Sequence, residues 1–179
     1  PAIATIPGCK YTTYRVMAAD AINAAVEDLG ESEVPASTTD QIPLVGAIGF
    51  ADVWADRSSL AERWGLTLDQ TERLLRRHGS RVSEIFDLIA DDPSLAQPLV
   101  AGHPYLRAEA LVAVTHQGVS LSDVLVRRLR ITPESVDGGR AAAEAALPLI
   151  AGPLGWDAAR ADKELEAYLS HGMQHAPAS

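Results

Sequence analysis

Apolar residues recur at helical spacing along most of this 179-residue chain. The clearest stripe has the i, i+3, i+4, i+7 spacing of an amphipathic helix and consists of Val82, Ile85, Phe86 and Ile89. Comparable stripes continue from about residue 58 to residue 169, with turn or capping residues between them. The pattern therefore predicts an all-α body, an orthogonal bundle of about six to eight short helices.

Capping and helix-ending residues predict the boundaries of these helices. Gly65 ends one helix, and Thr67 with Gln70 forms the capping-box pattern that begins the next. Asp92 followed by Pro93 ends the helix that carries the clear stripe and caps a short successor. The helices are therefore expected to be short and to follow one another closely.

Boundaries further along the chain follow from the same residue types. Pro104 is expected in the first turn of a helix over residues 105–117, because proline is tolerated there. Asp137 is expected to start an alanine-rich helix, which Pro148 should kink or end. Asp157 is expected to begin the last helix.

The beginning of the chain does not follow the helical pattern. Residues 1–6 are rich in β-branched side chains and predict a short strand, which ends at Gly8 and the proline before it. Thr12 or Thr13 then offers an N-cap for a helix that runs to about Asp28. This segment therefore resembles a strand–turn–helix unit rather than part of the bundle.

Three parts of the chain are expected from these patterns. Residues 1–30 form a short βα remnant of a sheet-containing domain, because a lone strand has an unpaired edge and little stability. Residues 31–57 form a linker, because residues 31–45 hold Ser, Thr, Pro and acids without periodicity, and residues 58–175 form the helical domain. Because a natural chain rarely begins within a strand, we interpret Pro1 as a cut end.

Composition and charge narrow the class of protein. The net charge of −9 and the isoelectric point of about 4.9 argue against a nucleic-acid partner, which requires a basic surface. The single cysteine, Cys9, excludes an internal disulfide. No apolar run approaches the ~18 residues of a membrane span. A soluble, cytoplasmic protein is expected.

The start of the first helix carries the strongest candidate chemistry. Gly8 makes the turn, Lys10 supplies a cation, and Thr12 and Thr13 begin the helix, whose first N–H groups are free. Such a helix start stabilises an anion or an electron-rich ring edge. The alternative is an ordinary βα turn with a threonine cap, since the turn lacks the G-x-G-x-x-G motif.

Basic residues elsewhere allow several interpretations. Two arginine clusters occur: Arg73, Arg76, Arg77 and Arg81, and then Arg127, Arg128 and Arg130. We expect solvated or ion-paired faces, with a domain interface or an anionic ligand as the alternatives. His171 and His175 have the spacing of two metal ligands on a helix, but Gly172 and the nearby chain end favour a frayed tail, so no metal site is expected.

Five segments resemble one enzyme family, in chain order. Residues 10–21, KYTTYRVMAADA, resemble the G-G-K-L-T-T-Y-R-x-M-A-E-D-A segment of FAD-dependent (aerobic) glycerol-3-phosphate dehydrogenases. The later segments are His78–Arg81, Pro104–Glu109, Leu121–Arg130 and Leu154–Asp157. Each motif is weak, but their ordered combination along nearly the whole chain is fairly specific.

The resemblance implies a function in glycerol metabolism. The family oxidises glycerol 3-phosphate to dihydroxyacetone phosphate and passes electrons through FAD to quinone. The chain would hold the last strand and helix of the flavin domain, followed by the helical C-terminal domain. By this resemblance Lys10 faces the flavin and the substrate as the catalytic residue, and Gly8, Thr12 and Thr13 contact the flavin.

The resemblance also implies partners and a location. The upstream FAD-binding domain of the same protein would be the main partner, and the intact enzyme would use quinone, allow a homodimer and lie on the inner membrane face as a peripheral protein. Cys9 replaces a glycine of the family pattern, and His116-Gln117 replaces His-Glu. The alternative interpretation is a stand-alone helical protein-interaction module.

We predict that these 179 residues alone bind no FAD tightly and do not turn over glycerol 3-phosphate. Dinucleotide sites recognise phosphate through a glycine-rich strand–helix turn, and no G-x-G-x-x-G occurs in this sequence. Titration of the purified chain with FAD, followed by flavin fluorescence, checks the expectation. Saturable binding at micromolar FAD would contradict it.

Overall fold

A computed structural model of the chain describes residues 10–29 and 35–172. The chain divides into two compact units, with the boundary between Ile48 and Gly49. The strand predicted over residues 1–6 lies outside the described residues. Within the described part there is no strand, and the antiparallel pairing is limited to an isolated bridge between Pro98 and Leu106. The all-α prediction is therefore confirmed.

The first unit contains one long helix and a loop. A 3₁₀ turn, Tyr11–Thr13, leads into helix α1, Tyr14–Asp28, close to the predicted range. Arg15 joins the helix to the loop of the same unit, because its guanidinium donates to the carbonyls of Thr39 and, at 3.2 Å, Ile42. No residue of α1 is buried, and none of the other described residues of this unit is buried either.

Within the described residues the second unit contains seven α-helices. They are α2 Phe50–Ala55, α3 Arg57–Trp64, α4 Leu68–His78, α5 Ser83–Asp91, α6 Arg107–Thr115, α7 Arg140–Ile150 and α8 Ala158–Gly172. A π-helical turn, Asp123–Arg128, lies between α6 and α7, and shorter 3₁₀ turns cover Gly79–Val82, Pro93–Ala96 and Thr132–Glu134. Helix α2 lies inside the range expected to be a linker.

Predicted caps account for several of these boundaries. Thr67 Oγ1 accepts from the Gln70 N–H at 3.2 Å, and Gln70 Oε1 accepts from the Thr67 N–H at 2.9 Å. Asp92 Oδ1 accepts from the Ser94 N–H at 2.9 Å. The Arg160 N–H donates to Asp157 at 2.8 Å at the start of the last helix. These helices therefore begin where local polar side chains satisfy free backbone donors.

Helix α6 starts later than the predicted range, 105–117. The Leu99 N–H donates to the Tyr105 carbonyl at 2.7 Å, and the Arg107 N–H donates to the Gln97 carbonyl at 3.0 Å. These bonds hold the segment before Arg107 in extended contact with residues 97–99. Helix α7 does not end at Pro148: it continues through that exposed residue to Ile150.

The core of the second unit consists of two apolar clusters. The first lies mainly among α3, α4, α5 and α6, and contains Leu60, Leu66, Leu74, Leu75, Val82, Ile85, Phe86, Ile89, Leu95, Leu106, Ala108 and Val112. The second surrounds α6, α7, α8 and the π turn, and contains Leu99, Tyr105, Ala110, Ala113, Leu121, Val124, Leu125, Leu129, Ile131, Ala142, Ala143, Ala146, Ile150 and Tyr168. Helix α6 contributes to both, so it lies at the centre of the unit.

Tyr168 fixes the last helix to the second cluster. Its hydroxyl lies 2.7 Å from Thr132 Oγ1 and donates to the Gly138 carbonyl at 3.2 Å. The residue is 2% exposed. Gly139, which precedes α7, has a φ of 82°, and a Cβ there would lie 2.2 Å from the Tyr168 hydroxyl oxygen. Only glycine therefore fits beneath this tyrosine.

We predict that Gly139→Ala lowers the free energy of unfolding by about 2–4 kcal/mol, since it combines a positive φ with a clash. Gly155→Ala is the matched control, because Gly155 has a φ of 66° but nothing within 4 Å of the added Cβ. Gly155→Ala is expected to lower the free energy of unfolding by about 1 kcal/mol, the cost of the positive φ alone. Urea unfolding measures both values, and equal losses would contradict the packing argument.

Candidate functional site

Three of the four predicted site residues, Lys10, Thr12 and Thr13, lie at the start of α1. Lys10 is extended, with a φ of −134° and a ψ of 127°, and the turn Tyr11–Thr13 follows it directly. Lys10, Thr12 and Thr13 are all exposed. Gly8 lies outside the described residues. The structure thus places a lysine ammonium group and two hydroxyls at one helix start.

The threonine does not cap the helix in the predicted way. Thr13 occupies the N-cap position, but its side chain accepts no hydrogen bond from the helix. Its Oγ1 instead donates to the Lys10 carbonyl at 3.0 Å. The positive end of the helix dipole therefore remains uncompensated by this side chain. An anion or an electron-rich group placed there would be stabilised by the helix and by Lys10.

An apolar cavity of about 470 Å³ lies within the first unit. Its walls include Tyr14, Ala18 and Ile22 from α1, and Leu44 and Val45 from the loop. Arg15 holds the loop beside the helix through its two carbonyl contacts. The cavity is open on one side, so the unit presents an apolar surface next to the cationic helix start.

The second unit contains a buried carboxylate that the sequence did not single out. Glu109, in the first turn of α6, has a side chain that is 1% exposed. Its Oε2 accepts from the Arg73 guanidinium of α4 and, at 2.8 Å, from the Leu106 N–H. Its Oε1 lies 3.5 Å from His78 Nε2 and 3.9 Å from Arg77 Nε. Glu109 therefore binds the last two turns of α4 and caps α6.

The surroundings of Glu109 keep it ionised. Burial raises the pKa of this carboxyl, but His78, Arg73 and the Leu106 N–H together outweigh burial and hold the pKa below its ordinary value. A buried carboxylate without such partners would take up a proton instead. The negative charge is therefore a permanent part of the folded structure at neutral pH.

Tyr105 extends this cluster. The Arg73 guanidinium lies 4.7 Å from the centre of the Tyr105 ring, and the tyrosine hydroxyl donates to Glu134 Oε2 at 2.7 Å. Burial and the nearby Glu134 raise the pKa of Tyr105 to about 12. The hydroxyl thus remains a donor, and Arg73 contacts both an aromatic face and a carboxylate.

Most arginines of the two predicted clusters are ion-paired, as expected. Arg76 pairs with Glu72 at 2.7 Å, Arg81 with Glu84 at 2.6 Å and Arg127 with Asp123 at 2.5 Å. Arg128 and Arg130 differ, because neither has a hydrogen bond or ion pair with any residue in the described part of the chain. These two guanidinium groups remain available to a ligand.

The described residues contain neither a metal site nor a membrane-spanning helix. Among residues 10–29 and 35–172, no three His, Cys, Asp or Glu side chains lie together as a metal site would require. His175 and the side chain of His171 lie outside that part of the chain. No helix there is long and apolar enough to cross a membrane.

The comparisons with known proteins agree on one family. Residues 37–161 match a protein family described as the C-terminal domain of alpha-glycerophosphate oxidase. The chain is similar to glycerol-3-phosphate dehydrogenase 2 of Mycobacterium tuberculosis, with 39% identity over 173 residues. This similarity covers 94% of the chain and 29% of the mycobacterial protein.

Two further similar proteins are also glycerol-3-phosphate dehydrogenases. The chain is 38% identical over 167 residues to glycerol-3-phosphate dehydrogenase of Mycobacterium leprae, covering 93% of the chain and 28% of that protein. It is 28% identical over 166 residues to the mitochondrial glycerol-3-phosphate dehydrogenase of Homo sapiens, covering 90% of the chain and 22% of that protein. The chain spans less than a third of these relatives. No solved structure matches it.

We predict that Glu109→Gln lowers the free energy of unfolding at neutral pH by about 1–3 kcal/mol, because Arg73 loses its buried counter-charge. The pKa of Glu109 is lowered in the folded chain, so its contribution is present above the ordinary value of 4.5 and is lost as the pH falls below it. Stability of the variant should therefore fall less steeply in acid.

Glu62→Gln is the control, because Glu62 is exposed on α3. Its effect at neutral pH should stay within about 0.5 kcal/mol, and its acid dependence should match that of the unmodified chain. Chemical unfolding at a series of pH values measures both variants. Parallel acid profiles for the unmodified chain and Glu109→Gln would show that Glu109 contributes nothing through its charge.

Proposed function

Because this chain belongs to the family described as the C-terminal domain of alpha-glycerophosphate oxidase, we propose that it is the C-terminal part of a flavoprotein that oxidises sn-glycerol 3-phosphate to dihydroxyacetone phosphate. The observation that carries the proposal is the similarity of 94% of the chain to a glycerol-3-phosphate dehydrogenase. FAD, when bound, accepts the hydride, and quinone takes the electrons. Peripheral attachment to the inner membrane face and a homodimer belong to the same proposal.

The start of α1 is proposed to lie at the flavin. Lys10 is the candidate catalytic residue, and Gly8, Thr12 and Thr13 are the candidate flavin contacts. The described residues fit an electron-rich ring edge, because an exposed lysine and exposed threonines surround a helix N-terminus that no threonine side chain caps. These groups stabilise negative charge beside the helix start, which favours hydride transfer away from the substrate.

The first unit, whose helix ends the flavin domain in this proposal, is proposed to pack against the upstream part of that domain. Its helix and loop expose large apolar side chains, among them Val16, Ile22, Leu29, Val45 and Ile48. A helix without a buried residue gains little from folding alone, since helices owe most of their stability to packing. Contact with the larger part of the protein would supply the missing apolar partner.

The second unit, from about residue 58 on, is proposed to be the helical domain that follows the flavin domain. It has its own two-cluster core and its own buried ion pair. We place the end of the flavin domain near residue 30 and the start of the helical domain near residue 58, with a connecting segment between them. In this arrangement the helical domain supports the enzyme without contributing to the hydride transfer.

The full-length protein provides the test of this function. Purified with its flavin, it should reduce an artificial electron acceptor only when glycerol 3-phosphate is supplied, and dihydroxyacetone phosphate should accumulate in equal amount. Glycerol without phosphate should give no reduction. A flavin-loaded protein that leaves glycerol 3-phosphate unchanged would overturn the proposal.

We predict that Lys10→Ala in the full-length protein lowers turnover by about one to three orders of magnitude, the scale of a lost transition-state donor. Lys163→Ala removes the other lysine of the chain, which is exposed on α8, and should leave turnover unchanged. Steady-state kinetics, flavin content per protein and thermal melting are measured together. Thermal stability should be unchanged, because Lys10 is exposed.

The pattern of results distinguishes two roles for Lys10. Full activity with normal flavin content would remove Lys10 from the site. Loss of flavin with normal turnover per bound flavin would assign Lys10 to cofactor retention instead of catalysis. Only a low turnover per bound flavin supports the catalytic assignment.

A further inference from the structure

We propose that a cavity beside Glu109 in the second unit binds a small phosphate monoester. The cavity has a volume of about 370 Å³ and lies between the end of α4, the middle and end of α6, and the π turn. Its polar lining comprises Arg77, His78, Glu109, His116 and the arginines at 127, 128 and 130. We call it the arginine cavity. The proposal is independent of the flavin reaction.

The charge of the arginine cavity opposes that of the chain. The chain carries a net charge of −9, yet four arginines line this cavity with a single carboxylate, Glu109. Arg73, outside the cavity lining, already neutralises Glu109, and Asp123 neutralises Arg127. Arg77 lies 3.9 Å from Glu109 Oε1, so Arg128 and Arg130 are the cavity arginines without an ion pair among the described residues. A concave surface with such an excess of charge concentrates anions.

Arg128 and Arg130 have exposed side chains that water solvates, and both are free to receive an anionic partner. Neither is paired within the described residues, whereas the arginines at 73, 76, 81 and 127 all contact carboxylates. Leu129 between them is 2% exposed and anchors the backbone. Its N–H donates to the Val124 carbonyl at 2.8 Å. The two arginines therefore project from a backbone that is already fixed.

The backbone around these arginines is unusual. Residues 123–128 form a π-helical turn. Arg130 has a φ of 63°, a backbone angle that residues other than glycine rarely adopt. π turns are frequent at functional sites, as are residues held in rare conformations. The Ile131 N–H closes the turn on the Leu125 carbonyl at 3.0 Å. Together these features position Arg128 and Arg130 at the same cavity wall.

The inner wall adds two buried polar atoms without hydrogen-bond partners. Glu109 Oε1 and His78 Nε2 are buried and lie 3.5 Å apart as an ion pair, and neither atom has a closer hydrogen-bond partner within the described residues. A carboxylate oxygen accepts a hydrogen bond, so it suits a ligand hydroxyl. The cavity thus offers cations to one end of a ligand and an acceptor to the other. A hydroxylated phosphate ester of about the size of glycerol phosphate combines both groups.

Phosphate suits this set of donors better than a carboxylate. A phosphate monoester has three terminal oxygens and up to two negative charges, so several guanidinium groups can donate to it at once. His116 contributes less, because it lies 2.9 Å from Glu84 Oε2 and 2.6 Å from an Arg81 nitrogen. The expected recognition therefore centres on Arg77, Arg128 and Arg130.

Calorimetric titration of the chain at low ionic strength tests the proposal. The probes are inorganic phosphate, methyl phosphate and glycerol 3-phosphate, and acetate at equal ionic strength is the comparison. Saturable binding of one phosphate per chain is expected, with acetate far weaker. Arg128→Gln and Arg130→Gln should each weaken phosphate binding by about tenfold, the effect of one charge-assisted hydrogen bond.

Arg63→Gln is the matched control, because Arg63 is exposed in the last turn of α3, away from the cavity lining, and loses the same charge. It should bind phosphate like the unmodified chain. Equal affinity in all three variants, or equal weakening in all three, would overturn the proposal. Circular dichroism of each variant shows whether folding is retained, and Arg128→Lys, which keeps the charge, should recover part of the affinity.

The organic part of the ligand is tested by comparing the two esters. Tighter binding of glycerol 3-phosphate than of methyl phosphate would support a hydroxyl contact with Glu109, and equal binding would overturn that contact. Because the chain alone is used, these results do not depend on flavin or turnover. Failure of the full-length enzyme to oxidise glycerol 3-phosphate would leave the phosphate titrations unaffected.

Discussion

The ion pair between Glu109 and Arg73 is the contact on which the second unit depends. It joins α4 to α6, and its carboxylate also accepts from the Leu106 N–H at the start of α6. Helix α6 contributes side chains to both apolar clusters, so the angle at which it begins affects both. A buried charge tolerates little displacement, because each lost contact leaves an uncompensated group in an apolar environment. The pair therefore fixes the relation of the two clusters.

Tyr105 and Leu106, which lie next to this ion pair, make several polar contacts. Tyr105 stacks beneath Arg73 and donates to Glu134, while its carbonyl accepts from the Leu99 N–H. Leu106 is fully buried in the first cluster, and its N–H donates to Glu109. Each residue thus satisfies a backbone group and a side-chain group together. Hydrogen bonds that share residues in this way favour one arrangement over its alternatives.

Local signals were sufficient to predict much of the fold. The capping pair Thr67 and Gln70 and the stripe from Val82 to Ile89 depend on residues within a few positions of one another, and both are confirmed. The start of α6 was predicted wrongly, because bonds to residues 97–99 override the preference of proline for a first turn. Local sequence does not contain that pairing.

The burial of Glu109 likewise cannot be predicted from local sequence. Glu109 occupies an ordinary position for an acidic residue, the first turn of a helix, so no local pattern indicates that it lies in the interior. Its burial follows from Arg73, 36 positions earlier in the chain. The prediction of ion-paired arginines was confirmed for several residues, but sequence alone did not separate them from Arg128 and Arg130. That separation depends on which carboxylates the fold brings near.

The two cationic regions of this acidic chain differ in what they need to function. The helix start at Lys10 is exposed, and the unit that carries it has no buried helix residue. Water screens a single exposed ammonium group, so Lys10 acts strongly on a reacting group only when another part of the protein covers it. The arginine cavity is lined by elements of one unit with its own core, and its arginines at 127, 128 and 130 are exposed. The anion binding proposed there therefore uses residues of one unit, whereas the role proposed for Lys10 needs cover from elsewhere in the protein.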